Sequence, residues 1–173
     1  SKKLILMDNN ILALPDHFKL ICEQIKKEKL IVDFNQGLDI RLLNDELVNY
    51  LQSIKHKSYR FSWDMDVDLS EKFKNLKIEL GQCFIYVYVG EKSDKEFLMY
   101  KLNTLKAIGH RVFLMRDISV RSQYIMLANW TNAFSCFSKM DFEEFCKYMK
   151  NRNIKQVTYT DDLFYENENN EIT

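Results

Sequence analysis

The chain has 173 residues, enough for one domain with a small appendage and too few for two large independent ones. Hydrophobic residues at 46% and charged residues at 29% supply both a core and a solvated surface, which excludes an intrinsically disordered chain. Lys plus Arg and Asp plus Glu each number 25, so no global field gathers nucleic acid or an anionic membrane surface; no nucleic-acid function is evident, and one would need a local patch.

In chain order, a first strand is predicted near Lys3 (LILM), and Pro15-Asp16 opens a helix with Phe18, Ile21, Cys22 and Ile25 on one face. A second strand begins near Ile31 (IVDF). Asn44 caps the next helix, whose apolar stripe is Leu43, Leu47, Tyr50, Leu51 and Ile54. A third strand lies near Ser58 (YRFSW), and Ser70 is positioned to cap a third helix. The fourth strand starts at Cys83 (CFIYVYV). Ser93 to Glu96 reads as a capping box for a helix that Gly109 stops, and a fifth strand starts at Arg111 (RVFLM). Beyond it a helix is expected from about Val120 to Ala133 and another from Asp141 to Arg152, opened by an Asp141–Glu144 capping box. The segment IKQVTY is a further strand candidate, and the tail from Asp161, with acidic and no basic residues, is expected to be solvated and disordered.

The five strand starts are 28, 27, 25 and 28 residues apart, the length of a strand, a helix and a return, which is the βα unit of a parallel sheet. Four glycines and one proline are too few for an all-β chain. Eight units would need roughly 220 residues or more, so a closed eight-stranded barrel is excluded. The expected fold is α/β: a partial TIM-like barrel of about five parallel strands with flanking helices over residues 1–118, continued in the same structural domain by a C-terminal helical extension, 119–173. The nearly continuous apolar strands imply a sheet covered on its faces, with Phe84, Tyr86, Tyr88 and Phe113 in the sheet core. Cys22, Cys83, Cys136 and Cys146 form no C-x-x-C and no dense framework and are read as reduced thiols of a protein expected to be cytoplasmic and to carry no signal peptide. No apolar run reaches the ~18 residues of a membrane span, so no membrane association is expected. The start at Ser1, one step before a strand, is expected of a piece of a longer protein or of a chain whose leading Met was removed.

In parallel α/β sheets functional groups gather where strands end, because loops vary there and helix N-termini point their dipoles inward. The polar residues at the five exits are Asp8, Asn9 and Asn10; Asn35, Gln36, Asp39 and Arg41; Ser62, Asp64 and Asp66; Gly90 and Glu91; Arg116 and Asp117. Such a rim suits a polar, zwitterionic ligand. Asp64, Asp66 and Asp68 alternate like a calcium loop, but Leu69 and Asn75 occupy the places of its turn glycine and bidentate glutamate. His17, His56 and His110 avoid the strand exits and are expected at the surface. No glycine-rich nucleotide loop is present.

Residues 4–18 (LILMDNNILALPDHF), 32–51 (VDFNQGLDIRLLNDELVNYL), 59–66 (YRFSWDMD), 83–90 (CFIYVYVG) and 111–117 (RVFLMRD) together resemble the second to sixth βα units of the radical S-adenosylmethionine (SAM) superfamily, in the branch with a D-D-N-F-like second strand. Residues 129–145 (NWTNAFSCFSKMDFEEF) resemble the helical tail of some uncharacterised bacterial and phage members. The resemblance implies SAM lying across the strand exits: Asp8, Asn9 and Asn10 at the element that receives the methionine amino group, Ser62 and Asp64 at the ribose, Val89 and Gly90 behind the adenine, Met115 and Arg116 at the last exit. Asn35 and Gln36 complete the rim, and Asp39 and Arg41 would meet the SAM carboxylate or the substrate. The family's 4Fe–4S cluster needs a C-x3-C-x2-C loop after a first strand, and this chain has neither. It is therefore expected to be an inactive fragment, with neither SAM nor cluster bound, of a parent that cleaves SAM reductively on an unknown substrate. The alternative is a non-catalytic βα half-barrel serving as a binding or assembly module. The lost neighbour would leave the strand from Leu4 to Met7 with an open edge, a route to self-association.

Overall fold

The computed structural model describes residues 2–8, 10–76 and 83–151. Asn9, the IKQVTY segment, Arg152 and the acidic tail lie outside the described residues. The elements in chain order are β1 (Lys3–Leu6), α1 (Pro15–Lys27), β2 (Ile31–Phe34), α2 (Asp45–Ser53), β3 (Lys55–His56), β4 (Tyr59–Ser62), α3 (Ser70–Lys74), β5 (Cys83–Val89), α4 (Lys95–Ile108), β6 (Arg111–Arg116), α5 (Ile125–Asn132), α6 (Phe134–Phe137) and α7 (Phe142–Asn151). Every strand pair is parallel, in the orders β1-β2-β3 and β4-β5-β6. Among the described residues the two sheets do not close into a barrel. The alternation of strand and helix expected from the 27-residue rhythm is the observed topology.

The third predicted strand, near Ser58, is β4, which pairs with β5; ahead of it a two-residue strand that the sequence does not mark, β3, pairs with β2. His56 and Tyr59 lie ring to ring, 4.1 Å apart, so both point to the same face although three residues apart. Strict alternation would put them on opposite faces; the extra residue at Lys57-Ser58 acts as a bulge that turns the chain from one sheet into the next. A single parallel bridge, Leu38 to Phe61, with Leu38 N–H donating to Arg60 O at 2.7 Å, ties the halves together.

One face of the strands carries Val32, Phe34, Phe61, Ile85, Val87, Val112 and Leu114, all buried. Phe18, Cys22 and Ile25 of α1, Leu47 and Leu51 of α2 and Leu98, Leu102 and Leu105 of α4 join them in one core. Each fully buried side chain of this size contributes about 1.5–3 kcal/mol relative to exposure. The sequence predicts cover on the opposite face too. Instead Ile5, Tyr88 and Phe113 are 62%, 40% and 44% exposed there, and Phe84 and Tyr86 are half-buried, so this aromatic cluster is an open surface and not sheet core.

Several helix starts coincide with their sequence signals. Asn44 caps α2, its side chain accepting from Leu47 N–H, and Asp141 and Glu144 exchange both bonds of the capping box. At α4 the cap is Asp94, which accepts from Phe97 N–H, while Ser93 Oγ accepts from Gly90 N–H. At α3, Asp68 and not Ser70 supplies the side-chain acceptor, from Ser70 N–H. Gly109 ends α4 at φ 90°, a left-handed turn that a side chain would strain. The helix expected over 120–133 begins only at Ile125, after a 3-10 turn at Ile118–Val120. His17 is exposed as expected, but His110 is fully buried and His56 half-buried, its ring bonded to Leu51 O at 2.6 Å.

Candidate functional site

Because every strand runs the same way, their C-terminal ends share one rim. After β4 the chain is anchored by Trp63, which is fully buried, stacks on Phe73 at 5.3 Å and donates its indole N–H to Val67 O. That anchor fixes the loop carrying Asp64, Asp66 and Asp68, which diverge: Asp64 accepts from Tyr88 N–H, Asp66 pairs with Lys101 at 3.2 Å, and Asp68 takes Ser70 N–H and the Tyr100 hydroxyl. Three carboxylates that share no partner do not form a calcium loop.

Two cavities lie on the rim and share Asp64. The smaller, about 240 Å³, is lined by Asn10, Gln36, Asp39, Arg41, Ser62 and Asp64, six residues from the exits of β1, β2 and β4. Asp39 caps the 3-10 turn Ile40–Leu42 and at the same time clamps Arg41: one oxygen accepts from Arg41 N–H and Nε at 3.0 and 2.8 Å, the other from Nη2. The guanidinium holds the Asp39 carboxyl below its ordinary pKa. The pair is thus a neutral dipole facing the cavity, matched to a zwitterion more than to an anion. Asn10 Oδ1 is buried beside it without a hydrogen-bond partner among the described residues.

The larger cavity, about 510 Å³, joins Asp64 and Gly90 to Tyr88, Ser93 and Asp117. The Tyr88 hydroxyl donates to Asp117 at 2.7 Å and, with Ser119 N–H, holds that carboxyl down at about 2. Gly90 permits this: a Cβ there would stand 3.0 Å from the Tyr88 hydroxyl oxygen and 3.2 Å from its ring. Loss of water around Asp64 raises its carboxyl, opposed by the Tyr88 amide.

Comparison of the chain with protein-family models, with curated proteins and with solved structures found no match. The chemistry of the rim is then the guide to function.

Of the residues singled out from sequence, the structure gathers Asn10, Gln36, Asp39, Arg41, Ser62, Asp64 and Gly90 around the two joined cavities. Asp8 is exposed and accepts from Asn10 N–H, shaping the first exit, and Asn35 contacts the Met7 sulfur at the neighbouring one. Val89 turns its side chain into the core and offers its carbonyl to Asp117 N–H; Arg116 bonds to Arg121 O, and Met115 is half-buried beside it. None of these five lines either cavity. Tyr88 and Ser93 line the larger cavity although the sequence does not single them out as site residues; the period-2 pattern of CFIYVYV, which places Tyr88 opposite Val87 and Val89, is the signal that marks the former. Cys22 and Cys83 are buried, which pushes both thiols up to about 12, and all four cysteines are free. Among the described residues no three His, Cys, Asp or Glu side chains come together to hold a metal, and no helix is long and apolar enough to cross a membrane.

Proposed function

We propose that this chain is the SAM-facing arc of a radical SAM-type partial barrel. The observation that carries the reading is the smaller rim cavity, where the exits of β1, β2 and β4 converge on a neutral Asp39–Arg41 dipole beside the unpartnered Asn10 Oδ1. An amino-acid ammonium needs an acceptor and its carboxylate a donor; Asn10 and the Asp39–Arg41 pair are residues of those two kinds. Ser62 and Asp64 bridge to the second cavity, whose hydroxyl and carboxylate groups suit a ribose.

The 4Fe–4S cluster does not fit this chain. Its thiolates need three clustered cysteines, and Cys22, Cys83 and Cys146 are buried in separate elements. Cluster chemistry would have to come from residues outside the chain. The second reading, a non-catalytic βα module that binds at the same rim, is favoured by that separation of the cysteines. Two measurements test the proposal. Amide chemical shifts during a titration with SAM at millimolar concentration should move at Asn10, Arg41 and Gly90; shifts confined to other regions would remove the SAM assignment from both readings. The coding sequence ahead of Ser1 then separates the readings: a strand followed by C-x3-C-x2-C supports the first, and a start codon supports the module.

A further inference from the structure

We propose that the sheet face left uncovered among the described residues binds single-stranded nucleic acid, its bases stacking on Phe84, Tyr86 and Phe113 and its phosphates meeting the lysines and arginines around them. In register across β1, β2 and β3 stand Lys3, Ile31 and Lys55; across β4, β5 and β6 stand Arg60, Phe84 and Arg111. The next row carries Ile5 and Asp33 in one half and Ser62, Tyr86 and Phe113 in the other. Residues in register share a face, so cations and aromatic rings alternate across one surface. Lys57, in the bulge, reaches the same face, 3.4 Å from Asp33.

The charge there is one-sided. Five cations, Lys3, Lys55, Lys57, Arg60 and Arg111, stand on this face of the strands and the bulge, where Asp33 is the one carboxylate within the described strands; Asp64 and Asp117 meet Tyr88 only at the exits. Asp33 neutralises Arg60, at 2.9 Å, and shares its charge with Lys57. Among the described residues no carboxylate pairs with Lys3, Lys55 or Arg111. The Arg111 guanidinium lies between the rings of Phe84 and Phe134, 5.4 and 4.9 Å from their centroids, which fixes a cation in place. Arg60 also donates to the Tyr86 hydroxyl at 2.6 Å, and Tyr86 meets Phe113 edge to face, so the rings are held by their neighbours. A balanced composition conceals this patch because its compensating carboxylates, Asp39, Asp64, Asp66 and Asp117 among them, sit at the strand exits.

Charge and ring chemistry together select the occupant. An acidic peptide would satisfy the lysines and leave the exposed rings idle; an oligonucleotide uses both, since every base has a π-face and every linkage an anion. With about four phosphates engaged, affinity should fall about 50-fold between about 50 and 200 mM salt.

The test is fluorescence anisotropy of labelled oligouridylate and oligothymidylate of about 12 nucleotides with the full chain and no SAM present, so its outcome is independent of the rim assignment. Saturable, salt-sensitive binding is expected. The double variant Lys3→Glu with Lys55→Glu, both exposed and unpaired, should weaken it more than about tenfold and flatten the salt dependence. Phe113→Ala should weaken it with the salt dependence unchanged, and circular dichroism checks that both variants fold. No binding at about 100 μM protein in low salt, binding that neither variant alters, or equal affinity for polyglutamate of the same charge would overturn the proposal. So would binding seen only when the acidic residues Asp161, Asp162, Glu166, Glu168 and Glu171 are replaced by their amides, which would make the chain's own tail the occupant.

Discussion

The contact between Gly90 and Tyr88 shows how single residues set the rim. Gly90→Ala puts a methyl group 3.0 Å from the Tyr88 hydroxyl oxygen, so the ring must give by a few tenths of an ångström and its bond to Asp117 weakens. The Asp117 carboxyl, held at about 2 chiefly by that bond, should then titrate nearer the ordinary range for an aspartate, which a pH series of carboxyl-carbon NMR shifts measures. Thiol chemistry gives a second residue-scale prediction. Cys22, Cys83 and Cys146 are buried and Cys136 half-buried, so native chain should react first at Cys136 with a disulfide reagent, and all four should react in denaturant. The rim is legible in the sequence as polar residues following apolar runs. The Asp39–Arg41 clamp is not, because it depends on a 3-10 turn bringing positions two apart together. Tyr88 is not legible from residue type alone, because a strand aromatic belongs to the core or to the surface according to the face it occupies.

At the scale of elements, the two sheet edges differ. On β6 the Asn132 side chain accepts from Leu114 N–H at 2.7 Å and donates to Leu114 O, so α5 fills the outer hydrogen-bonding position at the middle of that edge. On β1 the ladder to β2 uses Lys2 O and Leu6 O, which leaves the intervening Ile5 amide turned outward, and the Ile5 side chain is exposed. Self-association through β1 is the expected result, visible as a concentration-dependent mass in light scattering. Ile5→Pro removes an outward donor without touching the β2 ladder and should restore the monomer. Asn132→Ala should cost about 1–3 kcal/mol, because Leu114 N–H loses its partner at a half-buried site; urea denaturation measures it. The strands are legible because β-branched and aromatic runs recur at one spacing. The two-residue β3 is not, since Lys55-His56 is too short to show a pattern and Lys57-Ser58 carries neither glycine nor proline to mark its end. The α4 cap falls one residue beyond its predicted place because Ser93 and Asp94 both offer an acceptor, and Ser93 is engaged by Gly90.

Whether the two sheets behave as one molecule is a question that His56 and His110 can answer. His56 lies in β3 and His110 immediately before β6, one in each half, and burial lowers the pKa of both, that of His56 to about 4. A histidine with a depressed native pKa is neutral in the fold and takes up a proton on unfolding. The unfolded chain therefore binds more protons between the unfolded value of about 6.5 and the native value, and stability is full above that window and falls as pH drops through it. For His56 the loss is on the order of 2–3 kcal/mol, and His110 adds in the same direction. Asp39 and Asp117, depressed by their partners, extend the decline at lower pH, and Asp64, raised by desolvation, opposes it slightly. Trp63 sits in the β4–β6 half and Trp130 in α5, while backbone dichroism reports all helices. Since the cores of the two halves are continuous, denaturation at each pH should give one transition by fluorescence and dichroism alike, with a midpoint that falls from about pH 6.5 to about 4 and falls less in His56→Leu. Separate transitions for the two probes would mean that the Leu38–Phe61 bridge and the shared core do not couple the halves, and the rim spanning them would then lack the rigidity that ligand binding there requires.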